Sequence, residues 1–227
     1  GSSQIAAEMI TGTTALTSKP DDTDEFLISD AGTLKRIDYS LVKDGAFTKL
    51  ITTTASNSSA IEFTSTYLTT TYQDYMVVCS GLRPATDGGQ DLYMRVSVDG
   101  GSSFKSGNDY VFGLDGEDES SEFETESSDG AAQFTLNNNQ FGASTGEVGS
   151  TTLHLFDPLN QNSDNQYFHF TMSTVNLNAS SATMSQSHGG GSYQESGSED
   201  DPINGLQFKF ASGNISSGKI TLYGRKA

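Results

Sequence analysis

Hydrophobic and polar residues alternate along most of the chain with a period of two. The alternation is clearest in three segments, whose apolar positions are Leu92, Met94, Val96 and Val98, then Phe168, Phe170 and Met172, then Leu206, Phe208 and Phe210. One apolar and one polar face per segment is typical of antiparallel sheets with one side in water. About eleven such segments follow residue 46, separated by turns rich in Gly, Asn and Asp. The pattern predicts an all-β fold: an antiparallel two-sheet β-sandwich, jelly-roll-like, over residues 46–227.

A shorter alternating stretch, DEFLISDAGTLKRIDYS, precedes this region at residues 24–40. Its two halves flank a turn at Asp30-Ala31-Gly32, whose glycine can supply a positive φ. Asp38 can cap a short helix in YSLVKDG, and Gly45 can end it. The stretch therefore predicts an N-terminal β-hairpin followed by a short helix.

An isolated hairpin is at best marginally stable in water, so its apolar side chains need a further surface. That surface belongs either to the same chain or to neighbouring copies. We interpret residues 1–45 as an attachment or oligomerisation segment that becomes ordered between sister copies. The basic pair in this segment is expected to form ion pairs with Asp24, Glu25 or Asp30 of a neighbouring copy. The residues assigned to oligomerisation are Phe26, Leu27, Leu34, Lys35, Arg36 and Ile37.

Composition and charge narrow the class of function. The chain has 227 residues, which fits one large domain with a small appendage, and its formal net charge is −17 at pH 7. Such a surface repels the phosphate backbone of nucleic acids and anionic membrane surfaces. We therefore expect neither nucleic-acid binding nor membrane insertion. Solubility alone is the simplest interpretation of the charge.

The single cysteine, Cys79, lies in the apolar run YMVVCSGL, so no intrachain disulfide can form. It is expected to be a small buried hydrophobe and not a nucleophile. The sequence contains no apolar run long enough to span a membrane and no basic leader, and Gly1-Ser2-Ser3 is interpreted as an expression remnant.

Three stretches depart from the alternation, and loops at the ends of a sandwich commonly carry function. The first concentrates carboxylates in a loop or sheet edge, the second is a polar loop, and the third is a Gly- and Ser-rich loop; they are residues 114–130, 156–166 and 186–202. Asp115, Glu117 and Asp118 are weak candidates for calcium ligands, because calcium prefers oxygen ligands. The EF-hand pattern is absent, and a solvated run of charge is the favoured interpretation. No other metal and no cofactor is predicted.

Tyrosines near turns suggest a binding surface, because aromatic faces surrounded by carboxylates and amides bind sugars. The candidate ligand-binding residues are His188, Tyr193, Glu195 and Tyr110. The alternative is that tyrosines at strand ends only cover the core. SHGGG lacks the lysine of a phosphate-binding loop, and the sequence has no nucleophile elbow. We assign no catalytic residue and predict that the chain is not an enzyme.

The segment DEFLISDAGTLKRIDYSLVK, with its LKRID motif, resembles the lead-in of many tail-fibre and virion structural proteins of marine bacteriophages. The body resembles the same group in TTYQDYMVVCSGLRPATDGGQDLYMRVSVDGGSSF and INGLQFKFASGNISSGKITLYGRKA. The resemblance covers residues 24–110 and 203–227, whereas residues 111–202 depart from it. It implies a homotrimer in the virion that contacts other virion proteins and meets the host surface with its β-sandwich ends. No binding residue of that group maps onto this chain.

The predicted function is host attachment by a tail-fibre or receptor-binding appendage whose sandwich contacts a host cell-surface glycan or protein. A capsid decoration or head-fibre protein on the capsid surface is the first alternative, and a smooth sandwich tip would favour it. A glycan depolymerase is the second alternative, and a groove containing a carboxylate of raised pKa would favour it.

Overall fold

The computed structural model describes residues 14, 16–42, 46–119, 123–159, 167–178, 183–195 and 201–226. The chain divides into two compact units, residues 1–45 and 46–227, at the position where the sequence pattern changes. Within the described ranges, no helix is long and apolar enough to cross a membrane.

The first unit contains a β-hairpin and one helical turn. Strands β1 (Glu25–Asp30) and β2 (Thr33–Asp38) pair antiparallel, and helix α1 spans Tyr39–Val42. The connecting residues Ala31 and Gly32 both have a positive φ, 47° and 84°, which matches the twist of a two-residue hairpin turn. The predicted hairpin and short helix are confirmed, while the expected helix end at Gly45 lies outside the described residues.

The second unit is built from antiparallel strands. They are β3 (Thr48–Thr54), β4 (Ile61–Phe63), β5 (Asp74–Pro84), β6 (Leu92–Ser97), β7 (Tyr110–Asp118), β8 (Phe123–Ala131), β9 (Phe134–Thr135), β10 (Gly149–Phe156), β11 (Phe168–Leu177), β12 (Met184–Tyr193), β13 (Gly205–Phe210) and β14 (Ile215–Arg225). The larger sheet has the order β3-β14-β5-β10-β11-β12-β7-β8, and the smaller sheet has the order β4-β13-β6-β9.

Two inserted hairpins, β7–β8 and β11–β12, make the sheets unequal. Without them, eight of the strands in the described residues remain, in two four-stranded sheets, β3-β14-β5-β10 and β4-β13-β6-β9. The first of these eight strands pairs with the last, the second with the seventh, the third with the sixth and the fourth with the fifth. This is one long hairpin rolled into two layers, which is the jelly-roll arrangement. The predicted antiparallel two-sheet β-sandwich is therefore confirmed, and both inserted hairpins extend the larger sheet beyond β10.

The alternation places one face of each strand in a shared core. The predicted inward positions of β11 and β13 are buried, and so are Leu92, Met94 and Val96 of β6, while Val98 is half-buried. Phe134 packs edge-to-face against Tyr110 and Phe170, with ring centroids 4.7 Å from each. Cys79 is fully buried, and burial raises the pKa of its thiol. This confirms the expected small hydrophobe.

Two stretches that depart from the alternation are largely strands. Residues 114–118 belong to β7 and residues 123–130 to β8, and β8 forms the edge of the larger sheet, which agrees with the sheet-edge alternative for the acidic stretch. The expectation of a Gly- and Ser-rich loop over 186–202 is wrong for its first part, which belongs to β12. Glycine permits close packing there, because a Cβ atom at Gly191 would lie 2.8 Å from the Phe134 ring. Residues 160–166 and 196–200 lie outside the described residues.

Candidate functional site

A polar cleft of about 510 Å³ lies between the inserted hairpins and the loops that flank β6 and β9. Its volume falls within the usual range for small-ligand sites. We call it the acidic cleft and define it by Asp91, Glu124, Glu126, Asn138, Asn139 and Gln140. Gly88, Gly89 and Asn178 complete its lining.

Strand β8 supplies two of the carboxylates by reversing the usual hydrophobic pattern. Glu124 and Glu126 are half-buried on its inner face, whereas Phe123 is 63% exposed on its outer face. The inner positions of the neighbouring strand β7 carry Phe112 and Leu114, which are buried. Because β8 is an edge strand beyond the smaller sheet, its inward carboxylates face the cleft and not the apolar core.

Asn137 fixes two parts of the acidic cleft in place. It is fully buried, and its Oδ1 accepts a hydrogen bond of 2.7 Å from the Leu92 backbone N–H. Its Nδ2 donates to Asp91 Oδ1 and to the Asn139 carbonyl oxygen, each at 3.1 Å. The carboxylate of Asp91 and the loop after β9 are therefore held by one buried amide.

The other asparagines are held from the inserted hairpins. Asn138 is bonded to both hairpins. Its backbone N–H donates to Ser187 Oγ of β12 at 2.9 Å, and its Nδ2 donates to the Glu124 backbone carbonyl of β8 at 3.0 Å. Asn176 Nδ2 donates to the Asn139 carbonyl at 2.9 Å. These bonds pre-organise the lining before any ligand arrives, which lowers the entropic cost of binding.

Two acceptor oxygens of this network have no hydrogen-bond partner among the described residues. They are Asn138 Oδ1 and Asn176 Oδ1, and both atoms are buried. Buried polar atoms are normally satisfied, so each unpaired acceptor calls for an explanation. Both lie in side chains that hold or line the acidic cleft.

The electrostatics of the acidic cleft are dominated by like charges. Desolvation, and then the negative charge of Asp91, raise the pKa of Glu126 above its usual range, and a hydrogen bond from Thr135 partly offsets them. Burial, together with the charges of Asp91 and Glu126, also raises the pKa of Tyr93. The Tyr93 hydroxyl lies 3.5 Å from Asp91 Oδ2, although Tyr93 is not among the residues that line the acidic cleft.

The four candidate ligand-binding residues are not brought together at one surface. Tyr110 and Tyr193 are buried, with ring centroids 4.9 Å apart, and burial raises the pKa of both hydroxyls. Tyr193 donates to Glu195 at 2.7 Å, and Lys105 pairs with Glu195 at 2.5 Å. His188 is exposed on the outer face of β12, opposite to Tyr193. The two tyrosines thus belong to the core, as the alternative interpretation held.

The weak calcium candidates lie along a strand and not in a chelating loop. Asp115 and Glu117 are exposed on the outer face of β7, and Asp118 is the last residue of that strand. In the described part of the chain, no group of three His, Cys, Asp or Glu side chains is arranged to hold a metal ion.

The residues assigned to oligomerisation lie in the hairpin. Leu27 and Leu34 are 61% and 59% exposed, and Phe26 is 41% exposed although its ring contacts that of Tyr39 at 5.8 Å. Ile37 lies directly opposite Phe26 and is half-buried. Apolar surface therefore remains on the hairpin after it has formed.

The basic pair of the hairpin is engaged within one chain. Lys35 forms an ion pair with Asp30, and Arg36 forms one with Glu25 at 2.8 Å. Whether these residues also reach acidic partners in a neighbouring copy, as expected from the sequence, stays a prediction.

Sequence reasoning missed the acidic cleft. The signals were present: Glu124 and Glu126 occupy the inward phase of a strand, and an amide run, NNNQ, covers residues 137–140. What was missing was the strand order that places β8 next to the loop carrying Asp91.

The chain matches no family model, no curated protein and no solved structure.

Proposed function

We propose that this protein is a virion appendage of the tail-fibre or receptor-binding type and that the acidic cleft binds a glycan of the host cell surface. The acidic cleft itself is the observation that carries the proposal. Carboxylate and amide groups are the usual hydrogen-bonding partners of sugar hydroxyls, and the volume accommodates a small ligand.

The position of the acidic cleft in the chain supports a recognition role. Glu124, Glu126 and the amides of residues 138–140 all lie in the region 111–202, which departs from the marine phage resemblance. Receptor-binding appendages of one architecture require different ligand sites for different hosts, and loops and insertions supply them while the scaffold stays fixed. A capsid decoration protein would instead be favoured by a smooth surface.

Glycan-array binding of the full chain tests this proposal. We expect the wild type to bind a defined set of glycans, and Glu124→Gln to weaken that binding about tenfold or more, because hydrogen bonds to charged groups contribute roughly 1.5–3 kcal/mol. Glu117→Gln is the matched control, since it makes the same change at an exposed position on the outer face of β7. Equal binding by Glu124→Gln, or no bound glycan at all, contradicts the proposal.

We further propose that the hairpin unit assembles the protein into a homo-oligomer, a trimer on the phage resemblance. Burying Phe26, Leu27 and Leu34 between copies would stabilise the assembly by roughly 1.5–3 kcal/mol per fully buried side chain. Sedimentation velocity of a Phe26→Asp, Leu34→Asp double variant should show dissociation. Ser106→Asp combined with Asn108→Asp adds the same charge in an exposed loop and should leave the oligomer intact. An unchanged oligomer in the hairpin variant removes this part of the proposal.

Glycan cleavage is the second candidate function, and Glu126 favours it. A half-buried carboxylate whose pKa is raised beside a second carboxylate is the arrangement of a general acid and its partner in glycosidases. If the protein cleaves its ligand, incubation with a bound glycan will release reducing ends, and Glu126→Gln will stop the release without abolishing binding. Intact glycan after prolonged incubation excludes this candidate.

A further inference from the structure

We propose that the acidic cleft selects glycans that carry free, protonated amino groups. This inference rests on the proposed glycan-binding function and specifies the chemical class of the ligand. Three features of the acidic cleft support it: the charge of its lining, the excess of hydrogen-bond acceptors on its carboxylates and on Asn138, and its size.

The charge of the lining has one sign. Asp91, Glu124 and Glu126 contribute carboxylates, and the described residues that line the acidic cleft include no Lys, Arg or His. Arg95, two positions beyond Tyr93 on β6, donates from Nε to Gln133 Oε1 at 3.0 Å and does not line the cleft. Clefts lined by one sign of charge concentrate ligands of the opposite sign, so uronic acids, sulfated sugars and sialic acids are disfavoured.

The hydrogen-bonding capacity of the lining is weighted toward acceptors. Each carboxylate accepts and does not donate. Among the amides that line the acidic cleft, Asn138 has a buried Oδ1 without a partner among the described residues. An ammonium group provides three donors and no acceptor, whereas a hydroxyl provides only one donor. An amino sugar therefore complements this lining better than a neutral sugar does.

Like-charge repulsion among the carboxylates of the acidic cleft also favours a cationic ligand. The charge of Asp91 is one of the causes that raise the pKa of Glu126, and both charges act on Tyr93. A cation placed between the carboxylates would relieve this repulsion and gain attraction from each of them. A neutral ligand would leave the repulsion in place.

The size of the acidic cleft favours an organic cation over a bare metal ion. A volume of about 510 Å³ is many times that of a single ion and its ligand oxygens. Within the described residues, no metal-holding group of three His, Cys, Asp or Glu side chains exists there or elsewhere. The carboxylates are thus spread over a surface that suits a sugar ring with an attached ammonium group.

Calorimetric titration of the full chain with three oligosaccharides of equal length tests the inference. The probes are an oligomer of glucosamine, its fully N-acetylated counterpart and an oligomer of galacturonic acid, all at a mildly acidic pH that keeps the amines charged. We expect the glucosamine oligomer to bind about tenfold or more tightly than the acetylated one, and the galacturonic acid oligomer not to bind. Glu126→Gln should reduce this preference, and Glu117→Gln should retain it.

The outcomes separate this inference from the proposed function. If the acetylated oligomer binds as tightly as the glucosamine oligomer, or if the galacturonic acid oligomer binds, charge selection is wrong while glycan recognition stands. If none of the three binds, charge selection is overturned, and the glycan array decides the proposed function independently. Thermal unfolding of each variant shows that it is folded before its affinity is compared.

Discussion

At the scale of single residues, Glu126 shows that the acidic cleft lowers the stability of the folded protein at neutral pH. Its carboxyl pKa is raised in the folded state, so the folded chain holds this proton more strongly than the unfolded chain does. Stability from this group therefore decreases as the pH rises from the ordinary carboxyl range through the raised pKa. Groups retained against such a cost are frequent at functional sites.

Because ionised Glu126 destabilises the folded state, replacing it with neutral glutamine in Glu126→Gln should stabilise the protein. At neutral pH the variant should melt about 1–2 °C above the wild type, a small gain because the side chain is only half-buried and partly screened. The gain should vanish when the pH falls below the ordinary range for glutamate, where the wild-type side chain is protonated as well. Differential scanning calorimetry across this range measures it, and a variant that is less stable at neutral pH contradicts the assignment of Glu126.

Asn137 is the second residue whose substitution is informative. Asn137→Ala leaves the buried Leu92 N–H without its acceptor, which costs about 1–3 kcal/mol. It also releases Asp91 and the Asn139 backbone, so ligand affinity should fall along with stability. Urea denaturation measures the loss in the free energy of unfolding. Asn108→Ala, at an exposed loop position, is the control and should change the free energy of unfolding by less than about 0.5 kcal/mol.

The role of Asn137 could not be predicted from the sequence. Its partners Leu92 and Asp91 lie far earlier in the chain, and only the pairing of β6 with β9 brings them together. By contrast, the inward position of Phe170 followed from alternation alone, because the period of a strand is a local property.

At the scale of elements, β7 shows how glycine shapes the acidic cleft. A Cβ atom at Gly116 would lie 2.5 Å from the Gln186 carbonyl oxygen and 2.8 Å from Asn138 Nδ2. The neighbouring backbone belongs to the paired strand β12 and cannot move away without breaking the ladder. The absent side chain at Gly116 therefore leaves room for Asn138.

Gly116→Ala should destabilise the protein by about 1–3 kcal/mol, the usual effect of overpacking, and should weaken glycan binding by displacing Asn138. Gly113→Ala is the matched control on the same strand, because a Cβ atom there meets nothing within 4 Å. Thermal unfolding and glycan binding of both variants check the prediction. Equal effects of the two substitutions contradict the proposed role of Gly116.

Elements with regular alternation were predictable, and those that depart from it were not. The hairpin of β1 and β2 followed from its apolar pattern and its turn residues. The second half of β12 was predicted to be a loop because Gly189, Gly190 and Gly191 interrupt the pattern. These glycines allow close contact with neighbouring strands, which the sequence does not reveal.

At the scale of the whole molecule, the jelly-roll body and its insertions have separate tasks. The eight strands of the roll hold the core. The inserted hairpins bring Glu124, Glu126 and Asn178 to the acidic cleft, and loops of the roll supply the rest of its lining. The net charge of −17 follows from the sequence alone, whereas the concentration of carboxylates at one cleft depends on strand order. Strand order is set by contacts between distant segments, so composition and periodicity could give the fold class without locating the site.

The most direct test of the central claim, glycan recognition by the acidic cleft, is an NMR titration of the isotopically labelled full chain with a glycan that it binds on the array. We predict that the largest shifts will be those of the side-chain amides of Asn138, Asn139 and Gln140 and of the backbone around Glu124 and Glu126. Shifts centred on the outer face around His188, or on the hairpin of residues 25–38, would contradict the account.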